Sequence, residues 1–189
     1  MARLAYLWDE RLCIACMACV VACANNYDEL RYEENPNPYW DWFATNIRVQ
    51  ERKRGKKAIR LMSCQHCEKA PCVTACPTGA SYIDKETKLV KIDYKKCIRC
   101  LACVVSCPYG ARWVGRDRLP YKCMGPVCEE RLNMGLRPLC VSVCPASARD
   151  FGDIDDPESS ISRKLRALKT DRMLEEFGTE PKYYVVRNA

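Results

Sequence analysis

Histidine is almost absent from this chain of 189 residues: His66 is the single one. A Rieske centre places two histidines on one iron, so that kind of cluster is excluded. Neither a G-x-G-x-x-G run nor a P-loop is present, so nucleotide binding is not indicated. No stretch approaches the roughly 18 apolar residues of a membrane-spanning helix. The N-terminus, MARLAYLWDERLC, lacks the apolar core and small-residue cleavage site of a secretory signal. The chain is therefore expected to be soluble as made, cytoplasmic or exported bound to a partner. No grouping of side chains reads as a catalytic site. The length suits one domain or two small ones fused.

What is plentiful is cysteine, with sixteen residues. They form four groups with none left over. Cys13, Cys16, Cys19 and Cys23 are spaced C-x2-C-x2-C-x3-C. Cys64, Cys67, Cys72 and Cys76 are spaced C-x2-C-x4-C-x3-C and followed by Pro77. Cys97, Cys100, Cys103 and Cys107 repeat the first spacing and precede Pro108. Cys123, Cys128, Cys140 and Cys144 are spaced C-x4-C-x11-C-x3-C and precede Pro145. Shifting Asp9–Cys23 by 84 positions onto Asp93–Cys107 gives nine identities in fifteen, and C-V-x-x-C-P recurs at Cys72, Cys103 and Cys140. Such echoes point to duplication of a two-cluster unit.

Three chemistries compete for these thiols. Disulfides fit poorly, because cysteines three apart on one loop are badly placed to pair. Zinc prefers two separated CxxC pairs closing one tetrahedron. Three thiols on one tight loop suit three corners of an iron–sulfur cube, and C-x2-C-x2-C-x3-C-P is the bacterial ferredoxin run, whose fourth cysteine crosses to the other cluster. The proline then ends the short helical turn that carries that cysteine.

The net charge of +7 invites a nucleic-acid reading. However, the basic run ERKRGKK, Glu51 to Lys57, lies between two short strands and reads as a solvated hairpin turn. Four oxidised clusters with their ligands, at roughly −2 each, would bring the total to about −1. The basic excess thus compensates metal sites, and no nucleic-acid partner is expected.

The order of elements is legible around the second and third groups. A strand at Ile59–Met62 leads into a cysteine loop, CVTAC makes a short helix, and ASYI and LVKI form a hairpin over DKETK. CIRCLACVVSC supplies the second loop and helix, and ARWV closes the unit. Ile59, Leu61, Ile83, Val90, Ile92, Val104 and Val105 would cover the cubes. A core this small needs the clusters for folding energy. RLAYLWD supplies a strand for a second unit. Residues 24–57 form an excursion whose NPNPYWDWF aromatics would face a partner or shield clusters. A helix is expected from Asp156 and Pro157 through ISRKLRALK, then an extended GTEPKYYVV.

The expected fold is α+β: two bacterial-type 2[4Fe–4S] ferredoxin-like units related by pseudo-two-fold duplication, with a C-terminal helical and extended tail. Residues 58–115 would form one unit, residues 1–57 and 116–150 the other, and residues 151–189 would pack on a partner or the body.

CQHCEKAPCVTACPTGA, CIRCLACVVSCPYGAR, RPLCVSVCPASA, FGDIDDPESSIS and GTEPKYY together make the chain resemble the four-cluster iron–sulfur subunits of the dimethyl sulfoxide reductase family of molybdopterin oxidoreductases. That family includes polysulfide, thiosulfate, dimethyl sulfoxide, arsenate and formate enzymes. The resemblance implies four ligand sets: Cys64, Cys67, Cys72 with Cys107; Cys97, Cys100, Cys103 with Cys76; Cys13, Cys16, Cys19 with Cys144; and Cys123, Cys128, Cys140 with Cys23. Nitrate reductase relatives carry tryptophan where this chain has Cys100, so four complete [4Fe–4S] clusters are implied. The fourth group departs from the family, which usually opens it C-x2-C. Here Gly125 and Pro126 widen the loop between Cys123 and Cys128.

The implied function is non-catalytic electron transfer, along a wire between a molybdenum or tungsten bis-pterin subunit and a quinone-linked membrane anchor or other redox partner. A stand-alone polyferredoxin serving a hydrogenase or carbon monoxide dehydrogenase would use the same cysteines. Arg11, Lys95, Lys96 and Arg99 flank ligands and are candidates for raising cluster potentials; as solvated loop charges they would not. His66 is expected beside the ligands or at the surface, facing a partner.

Overall fold

The computed structural model describes residues 2–27, 45–51, 59–115 and 117–187. Its centre is strand β1 (Leu4–Asp9), in a sheet of order β8-β1-β10-β9. β8 (Arg149–Asp153) pairs antiparallel with β1, and β10 (Tyr183–Val186) pairs parallel with it on the other side. β9 (Asp171–Arg172) closes the edge against β10. The sequence LAYLWD is apolar almost throughout because both faces of β1 are covered. Ala5 and Leu7 pack with Ile161 and Val186 under α6 (Ser160–Ala167), whereas Tyr6 and Trp8 face the cysteines. GTEPKYYVV is extended as expected, and its strand packs on the body of this chain.

Three two-stranded hairpins complete the β structure. β2 (Arg48–Glu51) pairs with β3 (Ile59–Met62), β4 (Ser81–Ile83) with β5 (Val90–Ile92), and β6 (Trp113–Val114) with β7 (Pro120–Tyr121). The strands at either end of 58–115 therefore pair with residues outside that span. The turn joining β2 to β3, the NPNPYWDWF segment and the side chain of Ile59 lie outside the described residues.

The helices are short for a stated reason. α2 (Pro71–Thr74), α3 (Ala102–Val105) and α5 (Leu139–Ser142) are single turns, each followed within a few residues by Pro77, Pro108 or Pro145. Proline supplies no N–H and ends the turn. No proline follows Cys23, and α1 (Ala18–Asn25) runs eight residues. α4 (Pro126–Asn133) starts with proline at its first position, where no N–H bond is lost.

Two expectations need correction. α6 begins at Ser160 rather than at Asp156 and Pro157. Asp156 instead closes a turn, its carboxylate accepting from Glu158 N and its carbonyl from Ser159 N. Ser159 then caps the helix by accepting from Ser162 N at 3.1 Å. Val105 does not cover a cluster site: it is 87% exposed. In a one-turn helix Val104 already takes the inward position, so its neighbour points away. Leu61 and Val90 are buried, and Ile83, Ile92 and Val104 are partly buried.

Candidate cluster sites

The cysteine loops begin with an unusual backbone. Ala15 and Met17 adopt φ of 58° and 61°, and the residues 84 positions later, Arg99 and Leu101, adopt 61° and 60°. Non-glycine residues rarely enter this left-handed region. Left-handed residues of this kind curl a loop and are the backbone geometry from which anion-binding concavities are made. The internal sequence repeat is thus also a conformational repeat. His66 takes the matching place before Cys67, with φ of 44°.

All sixteen cysteines are free thiols. Cys76, Cys97, Cys100 and Cys103 line one cavity. Cys13, Cys16, Cys19 and Cys144 line another. Cys23, Cys123, Cys128 and Cys140 line a third. The remaining four face one another: Cys67 lies against Cys64, Cys72 and Cys107, and Cys107 against Cys64 and Cys72. Each set joins three thiols of one group to one thiol of another. Both Cys123 and Cys128 reach the third cavity, so the wider C-x4-C loop excludes neither. Gly125 enables this loop: a Cβ there would collide with Tyr27 Oη.

The donor chemistry fits iron–sulfur clusters. Among the described residues no three His, Cys, Asp or Glu side chains converge on a single-ion site. The thiols are instead spread around cavities, as ligands of a polynuclear group would be. The fourth cysteine of each group accepts a backbone N–H from downstream in the chain: Cys23 from Asn46, Cys76 from Ser81 and Cys144 from Ala148, each at 3.3 Å, and Cys107 from Ala111. Burial pushes Cys67 and Cys140 up to about 12 and Cys123 far above its ordinary value. Such thiols stay protonated until a metal displaces the proton. Cys76 goes the other way: burial raises it, but the Ser81 N–H and the Thr78 hydroxyl and N–H outweigh that.

Neighbouring sulfurs connect the four sets in one line. Cys103 faces Cys72, Cys64 faces Cys123, and Cys140 faces Cys19. The order is therefore Cys97/100/103/76, then Cys64/67/72/107, then Cys123/128/140/23, then Cys13/16/19/144. Cys16 and Cys100, in the two outer sets, are exposed, whereas every thiol of the Cys123 set is buried.

The charged residues that flank ligands in sequence are not the charged residues near sulfur in space. Arg11 turns back to Asp9, 2.7 Å away, and is 45% exposed; Lys96 lies 3.4 Å from Asp93; Lys95 and Arg99 are exposed. Four other cations are buried: Arg112, Lys122, Arg149 and Lys182. Arg112 hydrogen-bonds Cys72 and faces Cys103 and Cys64. Lys122 donates to the carbonyls of Val90 and Cys123 and faces Cys64, Cys123 and Cys72. Arg149 donates to Tyr183 Oη at 2.6 Å and faces Cys140 and Cys19; its Nε and Nη1 are buried without a partner at full hydrogen-bond geometry. Lys182 donates to the Lys88 carbonyl and faces Cys64 and Cys67. A readable signal existed for two of them: C-P-x-x-A-R ends at both Arg112 and Arg149.

His66 is not at the surface. It is 1% exposed, accepts Val90 N–H on Nδ1 at 3.1 Å and stacks on Tyr6 at 5.9 Å between ring centroids. Burial, with the nearby charges of Lys122, Lys182 and Arg112, holds it well below the usual histidine range. It is a neutral packing residue behind the Cys64–Cys67 loop.

Comparison with known proteins agrees with this chemistry. Two family profiles described as 4Fe-4S dicluster domains match residues 58–154 and 12–80. A polysulfide reductase component of Wolinella succinogenes is 38% identical, the match covering 95% of this chain and 92% of the relative. A sulfite dehydrogenase component of Allochromatium vinosum is 34% identical, over 96% and 81%. A thiosulfate reductase electron transfer subunit of Salmonella typhi is 38% identical, over 80% and 77%. No described helix is long and apolar enough to cross a membrane. Cysteine spacing, cavity chemistry and relatives agree: the chain belongs to the family of non-catalytic 4Fe-4S dicluster subunits that carry electrons in reductase complexes of the dimethyl sulfoxide reductase type.

Proposed function

We propose that the chain holds four [4Fe–4S] clusters in the four thiol sets above and connects a molybdenum or tungsten bis-pterin catalytic subunit to a quinone-linked membrane anchor or other redox partner. Bound there, such clusters supply one-electron carriers in a row. The protein's own part is to space the sets, exclude water from the inner two and present the outer two to partners.

The observation that carries this reading is the run of sulfur neighbours from set to set, with an exposed thiol in each outer set. The surface beside each end is also apolar. Ile14, Leu12 and Val21 are 67%, 48% and 54% exposed beside one outer set, and Ile98 and Val105 are 63% and 87% exposed beside the other. Large exposed apolar groups at two separate places suit two docking interfaces. A pseudo-two-fold relation between a 58–115 unit and a 1–57 plus 116–150 unit is supported by the repeated left-handed loop geometry, whereas β3 and β6 pair across the ends of 58–115.

The test is metal analysis of the complex that co-purifies anaerobically with this chain from its native host. Molybdenum or tungsten near one atom per chain, with abundant iron, is expected. Nickel, or iron without a second metal, would overturn the pterin partnership in favour of a hydrogenase-type or freely diffusing carrier.

A further inference from the structure

A buried cation is costly unless negative charge answers it. Neither Lys122 nor Arg149 pairs with a carboxylate among the described residues; Lys122 donates to two carbonyls, and Arg149 donates to Tyr183 Oη and reaches the Cys19 sulfur. What they share with Arg112 is placement. The three junctions in the line of thiol sets are Cys72/Cys103, Cys64/Cys123 and Cys140/Cys19. Arg112 faces both cysteines of the first, Lys122 both of the second and Arg149 both of the third. Arg112 and Arg149 also line the cavities of the two outer sets.

We propose that Arg112, Lys122 and Arg149 are redox-tuning residues, one fixed cation in each of the three gaps, each favouring reduction of the sites on both of its sides. This rests on the four-cluster reading. Each reduction adds one electron and one negative charge to a site, and a fixed cation answers that charge without uptake of a proton. Arginine suits this role because it cannot be deprotonated in a protein. Burial pushes the Lys122 pKa down, and the sulfurs of Cys64 and Cys123 and two backbone carbonyls hold its ammonium against that. Duplication explains the residue types: the outer gaps are equivalent and carry the same C-P-x-x-A-R arginine. The central gap has no counterpart, and its cation is a lysine.

The burial is assembled from distant elements. Tyr183 of β10 fixes Arg149, and Ser81 of β4 takes a 2.6 Å bond from Arg112. A charge so enclosed acts at low effective dielectric and with little salt screening. The exposed Lys95 and Arg99 have neither advantage.

The test is an EPR-monitored redox titration of the purified complex, after iron and sulfide analysis of the wild type. Fewer than four clusters in the wild type would overturn the four-cluster reading, and the proposal with it. With four present, R112Q, K122M and R149Q should each lower the midpoint potentials of two clusters. The reduction equilibria should change about tenfold or more, which is about 59 mV for one electron. The affected pair should move along the line: one outer and its inner neighbour for R112Q, both inner for K122M, the opposite inner and outer for R149Q. R112K, K122R and R149K should keep potentials close to wild type, and K95Q and R99Q should shift none. With clusters loaded, unchanged potentials, or a shift of one site or of all four, would overturn the proposal alone. If a neutral variant fails to load, the charge-conserving variant decides. A loaded protein with near-wild-type potentials supports the charge role, and failure of both assigns the residue to packing.

Discussion

The outer thiol sets are built on tight C-x2-C-x2-C loops and the inner ones on wider C-x2-C-x4-C and C-x4-C-x11-C loops, and the two kinds live in different surroundings. In the outer sets Cys16 and Cys100 are exposed, and Cys13, Cys76, Cys97 and Cys144 are only partly covered. In the inner sets seven thiols are buried and Cys107 is partly so. The two outer loops share one backbone geometry, Ala15 and Met17 matching Arg99 and Leu101, whereas the inner loops are spaced differently. What packs over each loop differs as well. Tyr6 of β1 reaches Cys123 at 3.5 Å, and the Tyr109–Thr179 hydroxyl pair, 2.5 Å apart, covers Cys67 and Cys107. Among the described residues nothing comparable covers Ile14 or Ile98, which are 67% and 63% exposed. The outer loops are thus left bare and the inner ones closed over.

Cluster removal should break this contrast most strongly. Anaerobic chelation should strip iron from the exposed outer sets first while far-UV circular dichroism holds. Loss of the inner iron should then unfold the chain, because the remaining apolar core is small. Iron content and ellipticity followed together check the order; simultaneous loss from all sites would contradict it.

Single ligand changes sharpen the same point. Cys16→Ser should cost roughly a quarter of the bound iron, one cluster of four, and leave a folded protein. Cys140→Ser should cost more than half, since it sits between an inner and an outer set and its site is part of the core. Iron and sulfide per chain measure both.

Two glycines carry the comparison into the backbone. Gly125→Ala in the inner Cys123–Cys128 loop should cost about 1–3 kcal/mol. Its Cβ meets Tyr27 Oη, which cannot easily retreat because it donates to the Lys122 carbonyl at 3.1 Å and accepts from Asn46 at 2.5 Å. Gly79→Ala beside an outer set meets no atom within 4 Å and should cost about 1 kcal/mol from its φ of +66°. Thermal unfolding of the loaded protein ranks them. The smallest effect belongs to Lys96→Gln, whose surface pair with Asp93 should leave the thermal midpoint within about 2 °C of wild type.

Much of this was legible in the residues because it is local. Three cysteines within seven positions and a proline behind the fourth define one loop whatever surrounds it. Likewise β3, the β4–β5 hairpin and β1 fell where alternation and turn residues put them. Long-range packing was not legible. Arg11, Lys95, Lys96 and Arg99 stand beside ligands in the chain but point to solvent. Arg112, Lys122 and Arg149 are buried by strands 31 to 34 residues away in two cases and by the carbonyl of Val90 in the third. His66 lies inside a CxxC loop, yet its ring is closed in by Tyr6 and the β5 backbone.

The sequence by itself determined the four cysteine groups, the cluster type they suit and the repeated loops, since spacing over a few residues controls how thiols can converge. Only the tertiary structure decided which thiol sets are buried, which lie open at the surface and where the buried charges lie. Burial is made by elements distant in the chain, and the energy of a charge depends on that burial more than on its neighbours in sequence.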